Sequence, residues 1–402
     1  MKKIIENFKY IKITDFLKCI LFVLILIPAY IYRIYLKIIN KKIYLICELQ
    51  DEACDNGYHL FKYIRENYPQ YNFYYAINKK SKDFKKIKKY GNIIQFGSLK
   101  HWIYYLSATK NISTHKSGNP CPPLFYVLHV YLNLFNNRVF LQHGITMNNS
   151  EWLYYKNTKF SAIICAAKKE YEFIKENFGY PEKNVLYLGF PRYDNLTKTK
   201  ADNKKILLMP TWRNWLGRST NFLENKKDFE LSKYYKKYNS LINNKKLIEL
   251  LEKNNITLYF YPHRNMQKFI KEFVISSKNI KIVEKKDIDI QELLINSSLM
   301  ITDYSSVSLD FTYMKKPLIY YQFDSLEYRE KQLQLGYFSY EDDGFGDVLE
   351  QEKQVINKVI YYVENDFKLE EKYKKRSENF FELRDKKNCE RVFKYLTKEE
   401  EI

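Results

Sequence analysis

Four short stretches pair residues able to move protons with residues able to hold phosphate. In LQHGITMN (141–148), His143 can take a proton from a hydroxyl, and Gly144 beside it lets a backbone approach a phosphate closely. In MPTWRNW (209–215), Arg213 offers a planar fork of donors that suits a diphosphate, with Thr211 two residues earlier. YPHRNM (261–266) sets His263 beside Arg264. ITDYSSVSLDF (301–311) runs through Asp303 into Ser305 and Ser306, which would lie in the first turn of a helix and, with its free amides, form an anion site. Asp310, two helical turns beyond Asp303, could take ribose or polyol hydroxyls. Each feature has a plain structural counterpart: a satisfied loop histidine, a surface arginine, an aspartate that only caps the helix, a carboxylate on a solvated face.

All four stretches directly follow short apolar runs, and those runs recur along the chain. IYLIC (43–47), NFYYAI (72–77), NIIQF (92–96), NIST (111–114), VFLQ (139–142), SAIIC (161–165) and NVLYLG (184–189) form one set. ILLMP (206–210), TLYFYP (257–262), IKIVE (280–284), LMITD (299–303) and PLIYYQF (317–323) form a second. Separated by stretches of helical length, they predict parallel sheets with crossover helices. The expected fold is α/β and GT-B-like: two doubly wound Rossmann-like domains facing a central cleft, at 41–195 and 204–402, the latter carrying charged terminal helices from 351 onward. The polar, proline-bearing segment 190–205 reads as the linker. Ligands of open parallel sheets sit beyond the carboxyl ends of the strands, where all four stretches fall. His143 and His263 would then face each other across the cleft.

Residues 1–40 predict a membrane-associating segment. Cys19 to Tyr32 is fourteen residues without a charge, flanked by Lys18, Arg33 and Lys37. A full span needs roughly 20 apolar residues, so an interfacial or re-entrant anchor is expected rather than a crossing helix. The 402 residues carry 67 Lys and Arg against 47 Asp and Glu, a formal charge of +20. That balance favours polyanionic partners, yet Lys, Asn, Ile and Tyr are abundant together, so charge alone selects none. Basic runs such as KKSKDFKKIKKY (79–90) are not interleaved with aromatics in a binding rhythm and read as a solvated face or lipid-headgroup contact, not a nucleic-acid site. Six cysteines without a C-x-x-C or a pairing pattern fit a reduced, cytosolic setting. No P-loop, dinucleotide fingerprint, zincin or nucleophile-elbow motif is present, and no metal is called for.

Taken together, LQHGITMN, GFPRYDNL (189–196), MPTWR with YPHR, and ITDYSSVSLDF followed by KKPLIYY resemble the CDP-glycerol:poly(glycerophosphate) glycerophosphotransferase family of teichoic-acid polymerases and primases. The resemblance covers roughly residues 141–324 and implies the GT-B arrangement. Carried over by motif, it makes His143 and His263 the catalytic histidines, and Arg213, Ser305, Ser306 and Asp310 donor-binding residues; Gly144, Thr211, Arg264 and Asp303 are placed in the donor set beside them. The chain departs from the family's usual W-H-G-T-P and P-H-P at Gln142, Ile145, Thr146 and Arg264, positions that bear on the acceptor and on the transferred alcohol. The implied reaction has His143 activating an acceptor hydroxyl that attacks the distal phosphorus of a CDP-alcohol, with CMP leaving and no further cofactor. The implied partners are that donor, a lipid-linked or polymeric anionic glycan acceptor, and an anionic membrane surface at the cytoplasmic face. Two other readings stay open: a GT-B glycosyltransferase using a nucleotide sugar, which would release a nucleoside diphosphate, and a non-catalytic polyanion-binding protein.

Overall fold

The computed structural model describes residues 13–196, 201–216, 222–284, 286–332 and 334–398. Residues 1–12 of the expected membrane segment and 197–200 of the expected linker lie outside them. The chain divides into two compact units. The first comprises the chain up to Ile145, Ser150–Asn195 and the C-terminal stretch from Leu383; the second comprises Thr146–Asn149 and Leu196–Glu382.

Seven strands build the first unit: β1 (Tyr44–Ile46), β2 (Phe73–Ile77), β3 (Ile93–Gln95), β4 (Lys110–Ser113), β5 (Arg138–Phe140), β6 (Ala162–Cys165) and β7 (Val185–Tyr187). They pair in the order β3-β2-β1-β4-β5-β6-β7, and every pairing is parallel. Leu45, for example, sits between Tyr74 and Asn111. The second unit repeats the plan with β8 (Asp202–Leu208), β9 (Thr257–Phe260), β10 (Ile280–Ile282), β11 (Ser297–Thr302), β12 (Leu318–Tyr321) and β13 (Gly346–Leu349), in the order β10-β9-β8-β11-β12-β13. Both sheets reverse strand order beside their first strand, the doubly wound arrangement predicted.

The strands read as unbroken apolar runs because helices cover both faces of each sheet. In β1, Tyr44 and Ile46 join the core under helix Asn56–Asn67 with Phe61 and Ile64, while Leu45 turns to the opposite face with Trp102, Tyr105 and Phe125. In the second unit, Ile206, Leu208, Leu258, Phe260, Ile301 and Ile319 pack against Tyr238, Leu247 and Val359 from the flanking helices. Every expected strand is present; β13 was not foreseen.

Two boundaries differ from expectation. The segment 190–205 is not all linker: it holds helix Tyr193–Leu196 and the first residues of β8. The second domain also does not run to the C-terminus, because helix Asn388–Thr397 belongs to the first unit. Asp194 accepts the N–H groups of Asn388 at 3.0 Å and Cys389 at 2.8 Å, so a side chain 194 residues earlier caps that helix. Gly189 makes the approach possible: its φ is +80°, and a Cβ there would collide with the Asn388 side chain.

Helix Ile13–Ile38 is part of the first unit as well. Phe22, Ile25, Ala29 and Leu36, spaced to share one face, are buried, and Phe22 meets Trp102 at 6.3 Å and Phe125 at 6.1 Å. Residues Ile20–Ile38 are long and apolar enough to cross a membrane by length and composition. The buried stripe means that lipid could surround only its other face.

Candidate functional site

His143 emerges just past β5 on a backbone held by a network of five side chains. Gln142 carries a left-handed φ of +57°, a conformation costly for a residue with a Cβ. Its amide donates to the Ile164 carbonyl at 2.8 Å and to buried Glu170 at 3.0 Å, and the other Glu170 oxygen takes the Ala166 N–H. The Asn56 side-chain amide donates to the Leu141 and Gln142 carbonyls at 3.2 and 2.8 Å, and its oxygen accepts the Arg192 N–H at 3.1 Å. Arg192 in turn pairs with Asp55 at 2.9 Å. The chain is thereby fixed while the His143 ring stays exposed.

The tautomer of His143 follows from its partner. Nδ1 lies 3.1 Å from the Thr114 carbonyl, which can only accept, so Nδ1 carries a proton and, in the neutral ring, Nε2 holds the lone pair. That is the form a general base requires. The ring stacks on His115 at 4.7 Å and faces Trp152 at 6.2 Å. Lys116 Nζ donates to the Trp152 carbonyl at 3.0 Å and stands over the Trp152 ring; burial, with help from Arg138, lowers its pKa to about 8. His115, Lys116 and Trp152 went unnoticed in the sequence. The first two directly follow the strand NIST, so the rule that found His143 could have found them.

At the switch point of this first sheet, the cradle of amides after β1 is filled by the chain itself. Glu48, fully buried, accepts the N–H groups of Cys54 at 3.0 Å, Asp55 at 3.1 Å and Tyr58 at 2.8 Å. Burial, with Asp55 beside it, lifts its pKa to about 8. Gly57 leaves the room: a Cβ there would lie 3.0 Å from the Glu48 side chain.

In the second unit, Arg213 departs from expectation. It leaves β8 and turns inward to zero exposure. Its guanidinium makes a two-pronged pair with Asp324 at 2.7 and 3.0 Å, meets Asp303 at 2.9 Å and donates to the Thr211 carbonyl at 2.7 Å. Tyr234, Tyr304 and Tyr328 enclose it at 4.9–5.4 Å. Burial alone would depress its pKa, but the two carboxylates hold it well above the usual guanidinium range. Arg213 therefore fastens together the carboxyl ends of β8, β11 and β12, with its guanidinium turned away from solvent. A cavity of about 320 Å³ beside it is bordered by charges of both signs, Asp228, Asp324 and Glu327 with Arg213 and Lys233.

Asp303 is likewise buried, and it does not cap the following helix. One oxygen accepts the Thr211 and Tyr304 N–H groups at 2.7 and 2.6 Å; the other meets Arg213 and the Tyr238 hydroxyl. This network holds Thr211 at the switch point between β8 and β11, and the Thr211 hydroxyl has no hydrogen-bond partner among the described residues. Ser305 and Ser306 follow β11, half-buried, with Ser306 at the start of helix Val307–Tyr313 and making no side-chain cap. Asp310 is 4% exposed, which removes the solvated-face reading. His263, past β9, stacks on Trp212, and its Nδ1 accepts the Asn265 N–H at 3.2 Å, leaving Nε2–H as a donor. Burial and the charge of Arg264 lower its pKa to about 4, so it is neutral at pH 7. Arg264 itself is exposed. No cluster of three or more metal-ligating side chains occurs among the described residues.

Two parallel, doubly wound units in tandem define an α/β architecture of the GT-B kind. The chain belongs to the CDP-glycerol:poly(glycerophosphate) glycerophosphotransferase family, whose sequence pattern matches residues 29–398. It is 41% identical over 363 residues to the minor teichoic acid biosynthesis protein GgaB of Bacillus subtilis strain 168, covering 88% of this chain and 39% of that protein. Against the teichoic acid poly(glycerol phosphate) polymerase of the same organism, identity is 22% over 372 residues, 85% of this chain and 46% of the polymerase. The chain thus spans less than half the length of either relative. Among solved structures, the wall teichoic acid polymerase TagF superposes with a TM-score of 0.65 at 18% identity, over 96% of this chain and 98% of that one. A putative UDP-N-acetylglucosamine 2-epimerase from Listeria monocytogenes reaches 0.55 at 12% identity, over 90% and 98%. The same fold serves different chemistry, so function rests on the residues.

Proposed function

We propose that the chain transfers glycerol phosphate, or a related polyol phosphate, from a CDP-alcohol to a hydroxyl of a teichoic-acid or capsule polymer or of its lipid-linked precursor, at the cytoplasmic face of the membrane. The observation that carries the mechanism is the tautomer of His143, with Nδ1–H committed to the Thr114 carbonyl and Nε2 exposed. Nε2 removes the acceptor's proton as its oxygen bonds to the distal phosphorus. The bond from that phosphorus to the bridging oxygen breaks, and its electron pair leaves with CMP. In the second unit, Thr211, Ser305, Ser306, Arg264 and the neutral Nε2–H of His263 are the groups offered to the donor's phosphates, with Asp310 behind them. Arg213 and Asp303 position Thr211 without touching the donor. Fixed donors of this kind act by stabilising charge that develops on the leaving phosphate.

The test is product analysis. The protein is incubated in detergent with CDP-glycerol, CDP-ribitol and several nucleotide sugars, with and without a lipid-linked acceptor. Acceptor-dependent CMP from one CDP-alcohol is expected, and His143→Ala should lower it by roughly 10²–10⁴-fold with the fold intact. A nucleoside diphosphate released from a sugar donor would establish the glycosyltransferase reading instead, and undiminished turnover in His143→Ala would remove its role as base.

A further inference from the structure

The edge of the first sheet opposite His143 carries a second cavity that the transfer reaction does not use. It opens at the amino ends of β1, β4, β5 and β6, has a volume of about 810 Å³, and is lined by Arg33, Lys37, Lys41, Lys42 and Lys110 with no acidic residue. Five cations converge where helix Ile13–Ile38 ends. A groove of about 430 Å³ lies beside it along the helix, walled by Leu26, Ile27, Ala29 and Tyr30 and almost wholly apolar. Arg33, Leu106 and Phe135 border both spaces, so the two adjoin. The outward face of the helix is apolar too: Val23, Leu24, Ile27, Tyr30, Ile31 and Ile38 are each more than 60% exposed. A helix with one face docked on protein and the other bare suits burial at the interface of a bilayer, with flanking cations at headgroup level.

We infer that the groove and the basic chamber together bind an anionic phospholipid of the bilayer, an acyl chain along Leu26 and Phe135 and the phosphate among Arg33, Lys37 and Lys41. An apolar channel ending in cations is complementary to an apolar chain ending in phosphate, and to neither a neutral lipid nor a free anion. The inference deepens the membrane-face location proposed above and is independent of the donor chemistry. A lipid held here lies at the sheet edge away from His143, so it anchors the enzyme and is not the acceptor.

The test uses the full chain and reads binding, not turnover. Co-sedimentation is measured with phosphatidylcholine vesicles with and without phosphatidylglycerol, for the wild type, for Arg33→Gln/Lys37→Gln/Lys41→Gln, and for a control triple, Lys156→Gln/Lys168→Gln/Lys183→Gln, on exposed lysines elsewhere in the same unit. Circular dichroism checks that all three are folded. The chamber triple should lose about 100-fold in affinity for phosphatidylglycerol vesicles while the control triple stays near wild type. A soluble short-chain phosphatidylglycerol should compete where inorganic phosphate at equal concentration does not. Equal losses in both triples would reduce the effect to diffuse surface charge, and equal competition by inorganic phosphate would make the chamber a free-anion site; either overturns the proposal.

Discussion

Arg213 and Asp303 form an ion pair at 2.9 Å with neither side chain exposed to solvent. Together with Asp324, they close a network in which each charge depends on the others, so its loss should be read as a loss of fold. Arg213→Met leaves two buried carboxylates unpaired and should cost about 3–5 kcal/mol. Arg213→Lys should recover only part of this, since an ammonium cannot make the two-pronged pair with Asp324. Denaturant unfolding without donor checks it. A variant of wild-type stability with only a raised donor KM would show that Arg213 contacts substrate after all.

Asn56 acts on His143 from a distance. Asn56→Ala strips partners from the Leu141 and Gln142 carbonyls and from the Arg192 N–H. Each orphaned buried group costs about 1–3 kcal/mol, and the strained backbone at Gln142 is freed to relax. The expected outcome is a lower kcat with an unchanged donor KM, because Asn56 lies in the first unit. An equal change in both constants would argue against a positioning role.

Asp194→Ala removes the cap of helix Asn388–Thr397, a loss of about 0.5–2 kcal/mol. Limited proteolysis should then cut within residues 383–398 faster than in the wild type, while the rest of the chain keeps its protection. Unaltered cleavage would mean that packing alone retains the helix.

Three histidines are held neutral. Burial lowers His101 and His129 to about 3 and His263 to about 4. The unfolded chain titrates all three near 6.5, so between pH 6.5 and 4 it binds more protons than the folded chain, and stability falls as pH falls. Glu48 opposes this. Its folded pKa of about 8 exceeds the ordinary 4.5, so it contributes stability that is present below 4.5 and lost as pH rises toward 8. Three protons against one leave an acid-destabilised protein between pH 4.5 and 6.5. His129 is the clearest single term: Nε2 lies 3.0 Å from the Tyr105 hydroxyl and Nδ1 2.9 Å from the Leu134 carbonyl, so its neutral form is fully used. Tm of His129→Gln should depend less steeply on pH in that window; an unchanged slope would mean that His129 is already charged in the fold.

Strand positions were legible because β-branched and aromatic runs punctuated by polar turns are a local signal, and the residues after them followed at once. β13 was missed because Gly346 and Asp347 occupy half of its four residues, and only its neighbour β12 makes it a strand. The roles of Arg213 and of the last helix were not legible for a different reason. Arg213 finds Asp324 across 111 residues, and Asp194 finds Asn388 across 194; no spacing rule reaches so far. His115 and Lys116 were legible and overlooked. The docking stripe Phe22, Ile25 and Ala29 was also present in the sequence, hidden in a helix whose opposite face is equally apolar.

The carboxyl of Glu48 stands where a doubly wound sheet ordinarily receives the phosphate of a nucleotide. With this built-in surrogate, the first unit fills the cradle after β1 with its own side chain. Titration with a CDP-alcohol should therefore saturate at one donor per chain, with the unit that holds His143 taking none.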